Sequence, residues 1–386
     1  MRYEGVFDSI SDAGIRSLPV CILMKRKIAA AVVIIASAAL LILYLIFRSF
    51  TSYEVKSRAP LTVAAGTVWE AFNDTVTGVS RDGIKCLDLD GNLLWAQSFE
   101  MAAPKTVKAG SFFMVYDSGG GEADVFSSSG KMVRIKVKGQ ITKAAVSSSG
   151  VSAVLANDGD SHRILLYGSD GAEKANGELH TQNSGYPIAL SLSPSGSTLL
   201  VSALDLSAGD IKTTLLFYDF SASGAALKNN IAARYSYSGR VIPSLHHFDD
   251  GRSAAFSDNE VIIFSSSSVP TVEKEIFLKE KIKSVLTSPK YFALITGDEK
   301  STLTNYSSKG KVRYQTPIDF AHTESYFLSN NEVAVSDGER LELFTVLGIK
   351  KFSYVFPSGI AGIMPWDGGA NYVLIRDAHL EKVHLK

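Results

Sequence analysis

Residues 88–95 read DLDGNLLW, and the fold turns on what that stretch is. Two acids, an Asn and a Gly within five residues suggest a calcium loop. A Gly followed by a Trp suggests the Asp-box of sugar-cleaving propellers, and Asp90-Gly91 is a strong hairpin-turn pair. A calcium loop needs glycine at its sixth position, where Leu93 stands. An Asp-box places its Trp three residues after the glycine, whereas Trp95 lies four after Gly91. That leaves the hairpin, and a hairpin of a repeat protein must recur.

It recurs. From Leu61 onward, short apolar runs alternate with turns of Gly, Ser, Asn and Asp, with no sustained helical period. The unit apolar strand, polar turn, strand returns as ILLYGSDGAEKANGEL (164–179), LTNYSSKGKVRYQT (303–316) and LELFTVLGIKKFSYVF (341–356). Its turn glycines are Gly91, Gly130, Gly171, Gly224, Gly310 and Gly348, with gaps of 39, 41, 53, 86 and 38. The gap of 86 is two periods, the intervening turn being SSSSVP, Ser265 to Pro270. A second hairpin precedes each of these, as in AVSSSGVSAVL (145–155) and SLSPSGSTLLV (191–201). A period near 40 with four short strands is the signature of a β-propeller.

Seven such C–D hairpins are present. After the last, Ile360 to Trp366, Asn371 to Arg376 and Leu380 to His384 read as strands A, B and C of one more blade. Leu61 to Ala64 is expected to supply its missing D strand, because ring closure removes a free sheet edge. The expectation is an all-β propeller of eight blades, or seven if a degenerate unit is misread.

Ahead of it, Ile28 to Phe47 is an uncharged run whose only polar groups are Ser37 and Tyr44. About twenty helical residues cross a hydrocarbon core. Arg2, Arg16, Lys25, Arg26 and Lys27 precede the run, and Arg48, Lys56 and Arg58 follow before Pro60. That asymmetry predicts a cytoplasmic tail (1–27), a transmembrane helix (28–47), a linker (48–60) and an extracytoplasmic propeller (61–386) in the cell membrane. ASA, Ala36 to Ala38, would fit a signal-peptidase site, but Leu40 to Phe47 stays apolar beyond it, so an uncleaved anchor is the reading.

Lys plus Arg and Asp plus Glu are 39 each, so no basic bias points to nucleic acid. Cys21 and Cys86, on opposite sides of the predicted membrane, cannot pair. No phosphate-loop, nucleophile-elbow, zinc or dinucleotide motif occurs where a mechanism would need it, and no cofactor is expected. GGG at 119–121 has no helix after it to orient amides on a phosphate. The one cluster of metal-ligand types is HHFDD, with His246, His247, Asp249 and Asp250 as the candidates. It sits in register with the A–B turns, and strand alternation sends the two histidines to opposite faces. Tyr235, Tyr237, Tyr326, Trp366 and Tyr372 are expected to pack between blades rather than line a binding surface.

The B–C turns each hold an acid: Asp82, Asp117, Asp158, Asp205 with Asp210, Asp258, Asp298, Asp337 and Asp377. In a propeller these turns emerge at one end. Asp205, Asp210, Asp158, Asp298 and Asp337 are therefore the candidates for contact with a basic partner or cations, with the Ala203–Thr213 insertion as the contact loop. The C–D turns, at the other end, carry lysines such as Lys131, Lys174, Lys228, Lys274, Lys309, Lys311, Lys350 and Lys351.

The DGNLLW unit resembles the repeat of quinoprotein-like eight-bladed propellers, and SPSGSTLLV resembles the WD40-like strand pair. One membrane helix followed by a degenerate propeller is similar to a family of membrane-anchored proteins of Gram-positive bacteria known as a domain of unknown function. The resemblance implies the fold and carries no catalytic residues. Quinoprotein dehydrogenases use adjacent cysteines, and Cys86 stands alone in the repeat region. The expected function is a membrane-anchored scaffold binding a protein or an envelope polymer. The rival is a propeller enzyme with a channel-mouth site for a glycan or quinone-linked substrate.

Overall fold

The structure, a computed structural model, describes residues 18–61, 66–159, 161–179, 185–207, 209–298, 300–376 and 378–386. The chain divides into two units, Met1–Ser49 and Phe50–Lys386. In the first, helix α1 runs Leu18–Phe47. Its longest run of described side chains is 30–41, all exposed. Among the described residues no helix is both long and apolar enough to cross a membrane.

The second unit is eight four-stranded antiparallel sheets, the eight blades. The first is Val68–Phe72, Thr75–Ser80, Gly83–Leu87 and Leu93–Ser98, in that order from inner to outer strand. Six more follow at 104–136, 140–179, 186–238, 244–277, 282–318 and 324–355. The eighth takes Gly362–Pro365, Asn371–Ile375 and His379–Leu385 from the C-terminus and Tyr53–Pro60 from the N-terminal side. Strands B and C are buried almost throughout; outer strands such as Leu93–Ser98 alternate with solvent.

DLDGNLLW is the C–D hairpin turn of the first blade, as the repeat predicts. The Gly91 amide donates to the Asp88 carbonyl at 3.1 Å, and the Asp88 carboxylate accepts from the amides of Asp90 and Asn92 at 2.8 Å. Gly130, Gly171, Gly310 and Gly348 repeat that amide bond three residues back. The glycines also permit close approach. A Cβ on Gly130 would stand 2.6 Å from the ring of Trp95, which belongs to the outer strand of the preceding blade. Gly348 meets Tyr314 one blade back in the same way. The fourth blade departs from the pattern. Its turn, 220–230, carries two 3-10 helices, Gly224–Ala226 and Lys228–Asn230. Gly224 is needed there because a Cβ would strike the carbonyl of Asp219.

No single core exists. The buried apolar side chains form eight clusters among the described residues, one at each junction between neighbouring blades. Tyr235, Tyr237, Tyr326, Trp366 and Tyr372 all pack into these seams.

Closure differs from the expectation. The strand completing the eighth blade is Tyr53–Pro60, paired antiparallel with His379–Leu385, and not Leu61 to Ala64. Leu61 is buried in the seam between the eighth and first blades, and 62–65 lie outside the described residues. YEVKSRAP reads as a linker because it is charged, yet an outer strand has one wet face and one partner. Arg58 meets Glu381 at 2.8 Å and Lys386 meets Glu54 at 2.6 Å. Pro60 sits at the strand end, where its missing N–H costs little. Tyr53–Pro60, expected as part of a linker at 48–60, is therefore a strand of the propeller, and just ahead of it Phe50 is buried, its amide donating to the Lys351 carbonyl at 2.8 Å.

Candidate functional site

Antiparallel blades send their B–C and D–A connections to one end of the ring and their A–B and C–D turns to the other. Asp82, Asp117, Asp158, Asp205, Asp210, Asp258, Asp298 and Asp337 all lie in or beside B–C connections; Asp377 lies outside the described residues. The topology therefore gathers the described acids at one end.

Several also build their own turns, which is why Asp suits these positions. Asp205 accepts from the Ser207 amide at 2.9 Å and hydroxyl at 2.7 Å, and these bonds hold its carboxyl below the usual range. Asp337 accepts from the amides of Glu339 and Arg340 at 2.9 and 2.6 Å. Asp158 pairs with Lys138 at 3.1 Å, and Asp298, its side chain 96 % exposed, lies 3.9 Å from Lys283. Lys138 and Lys283 belong to the same end, so they temper the acidity there. The 203–213 segment is a long hairpin whose tip exposes Leu206 and Ile211 beside Asp205 and Asp210.

The HHFDD residues go separate ways. The His246 Nε2 lies 2.9 Å from the Ser288 carbonyl in the sixth blade, and the His247 Nδ1 lies 3.1 Å from the Ser191 hydroxyl in the fourth. Desolvation by burial lowers their imidazoles to about 4 and about 3. Asp250 binds Arg252 at 3.0 Å and accepts from the Ser308 hydroxyl at 2.7 Å; the Asp249 amide donates to the Pro289 carbonyl. The four residues stitch three blades together, and among the described residues no group of three or more metal-ligand side chains converges.

A cavity of about 1060 Å³ lies along the inner strands of the first, seventh and eighth blades, with further lining from the second and sixth. Trp69, Phe72, Tyr326 and Met364 give it apolar walls. Its carboxylates are Glu70 and Glu324, its cations Lys108 and Arg376. Glu70 accepts from the Thr106 hydroxyl and lies 3.5 Å from Lys108, so that pair is already engaged. Arg376 reaches Ser358 at 2.5 Å and Glu381 at 3.8 Å. None of these was singled out from the sequence: Glu70 and Lys108 meet 38 positions apart. Glu332 was not marked either, and Lys351 and Tyr372 were named separately with nothing to bring the three together in one buried set. Lys351 there binds Glu332 and the Tyr372 hydroxyl at 2.7 Å each, and burial beside Glu332 pushes the Tyr372 phenol up.

The fold is shared with solved propellers. The C-terminal WD40 domain of Sif2 matches at 9 % identity with a TM-score of 0.59, covering 87 % of this chain and 99 % of that one. BamB from Moraxella catarrhalis matches at 13 % and 0.51, covering 86 % and 100 %. Sqt1 of Chaetomium thermophilum, bound to the N-terminus of the ribosomal protein L10, matches at 15 % and 0.52, covering 83 % and 92 %. Identities this low speak to fold alone. No curated protein matches the sequence. Residues 46–385 match the model of a family of unknown function, DUF5711.

Proposed function

The chain belongs to the DUF5711 family, and from that premise we propose that it is a single-pass membrane protein whose propeller binds a protein or envelope polymer outside the cytoplasm. Ile28 to Phe47 is the anchor in this reading, with Lys25, Arg26 and Lys27 holding the N-terminus inside. The described side chains of α1 at 30–41, exposed and free of charge, suit lipid.

The observation that carries the binding role is the gathering of Asp205, Asp210, Asp298 and their equivalents at the B–C end of a closed ring. A rigid ring presenting variable loops at one end is a scaffold for recognition. A propeller of this fold, Sqt1, holds the N-terminus of another protein, which supports a protein partner. The partner is a basic segment, because each described B–C connection contributes a carboxylate.

In-cell crosslinking and pull-down of the full chain tests this. Capture should fall several-fold in Asp205→Asn/Asp210→Asn and in Asp298→Asn, and in raised salt. Asp298→Asn matters because its carboxylate makes little of its own turn. Capture unchanged by all three would remove the reading.

A further inference from the structure

Four consecutive C–D turns, at 220–230, 265–271, 308–311 and 345–349, contain no acid. They carry Lys228, Lys309 and Lys311, all exposed and none in an ion pair among the described residues. Beside these stand Leu227, Val269 and Leu347, which are 37 %, 54 % and 57 % exposed. Topology puts all six at the end of the ring opposite the B–C acids. Apolar exposure alone does not separate the ends, since Leu206 and Phe277 are exposed at the other. The absence of acid from these four turns does. Beside these turns the acids are mostly paired: Asp250 with Arg252 at 3.0 Å, Glu273 with Arg252 at 2.7 Å and Glu332 with Lys351 at 2.7 Å, while Asp249, exposed like Asp250 and Glu273, is in no ion pair among the described residues.

The polypeptide also joins the ring at this end. The Phe50 amide donates to the Lys351 carbonyl and the Thr51 amide to the Lys386 carbonyl, both at the turn end of their blades. The chain therefore enters the ring at this end and not beside the acids.

We propose that the sector of the fourth to seventh blades that carries these acid-free C–D turns lies on an anionic lipid surface. The lysines pair with anionic headgroups, and Leu227, Val269 and Leu347 enter the interface between them. Charge complementarity and the attachment of the chain at the same end select lipid as the occupant. The inference rests on the membrane-anchor reading for its setting, but its test does not depend on it.

Full-length protein, with Cys21→Ser, is labelled with a fluorophore at Val269→Cys or Asp298→Cys and mixed with vesicles of phosphatidylcholine, with or without phosphatidylglycerol, containing nitroxide-labelled lipid. Quenching is expected at position 269 and not at 298, only with phosphatidylglycerol, and relieved by salt. Replacing Lys228, Lys309 and Lys311 with Gln should weaken the phosphatidylglycerol-dependent contact by roughly a hundredfold. Equal quenching at both positions, or quenching at 269 indifferent to phosphatidylglycerol and to the three replacements, overturns the proposal. Alkaline extraction of the same vesicles reads the anchor separately. If the chain is extracted, the anchor fails, and cosedimentation at low salt still decides the sector: phosphatidylglycerol-dependent binding lost in the triple variant upholds it, and no binding overturns it.

Discussion

At Gly130 the difference between hydrogen and methyl decides how closely two blades can meet. Its φ of +81 disfavours any side chain, and a Cβ would also press on Trp95. Gly209, at φ +80, has nothing within 4 Å of its Cβ position. Gly209→Ala should therefore cost only the backbone term of about 1–2 kcal/mol, and Gly130→Ala clearly more; urea unfolding compares them. Equal losses would mean that the seam contact contributes nothing. His247 has a pH signature. Its folded value, about 3, lies below the ordinary imidazole range, so the unfolded chain binds the extra proton first. The stability it contributes is present above about pH 6.5 and is lost as pH falls from there toward 3. His247→Gln, which keeps a group able to bond Ser191, should flatten the fall in urea midpoint across that window. The turn glycines were legible because turn chemistry is local. The seating of Trp95, stacked on Phe126 with its indole N–H donating to the Ser128 carbonyl, was not, because both partners belong to the next blade.

Among elements, the closing strand shows most clearly what periodicity misses. Pattern reading favours apolar runs, so Leu61 to Ala64 drew the assignment that belongs to Tyr53–Pro60. An outer strand needs one edge to pair and little grease to bury, and its partner stands more than 300 positions away. Deleting residues 1–60 should lower the melting temperature far more than deleting 1–49 and should cause concentration-dependent association, because His379–Leu385 would become a bare edge. Equal melting of the two truncations would refute closure by this strand. Phe50, 6 % exposed against Phe352 and its neighbours, should cost about 3–5 kcal/mol as Phe50→Ala, read by chemical denaturation.

For the whole molecule, the ring has two chemically different ends, and the proposed anchor assigns them different tasks. Protease added to intact cells with the wall removed should digest the propeller while 1–27 stays protected; full protection of the propeller would reverse the orientation. Of the candidate surfaces, the sequence marked the acids, since each B–C turn announces itself by its flanking strands. It did not mark the cavity, whose lining comes from strands of five blades.

The sequence by itself determined the four-stranded repeat, its hairpin turns and the apolar run before them, because each depends on residues within about one strand pair of one another; between the expected eight blades and the alternative seven, the structure shows eight. The tertiary structure decided which segment closes the ring, where Phe50 is seated, and that His246 and His247 serve opposite neighbours. It also showed that Glu332, Lys351 and Tyr372 meet in one seam. Those contacts cross blade boundaries or join the two ends of the chain, and a local pattern carries no record of which distant segment will lie against it.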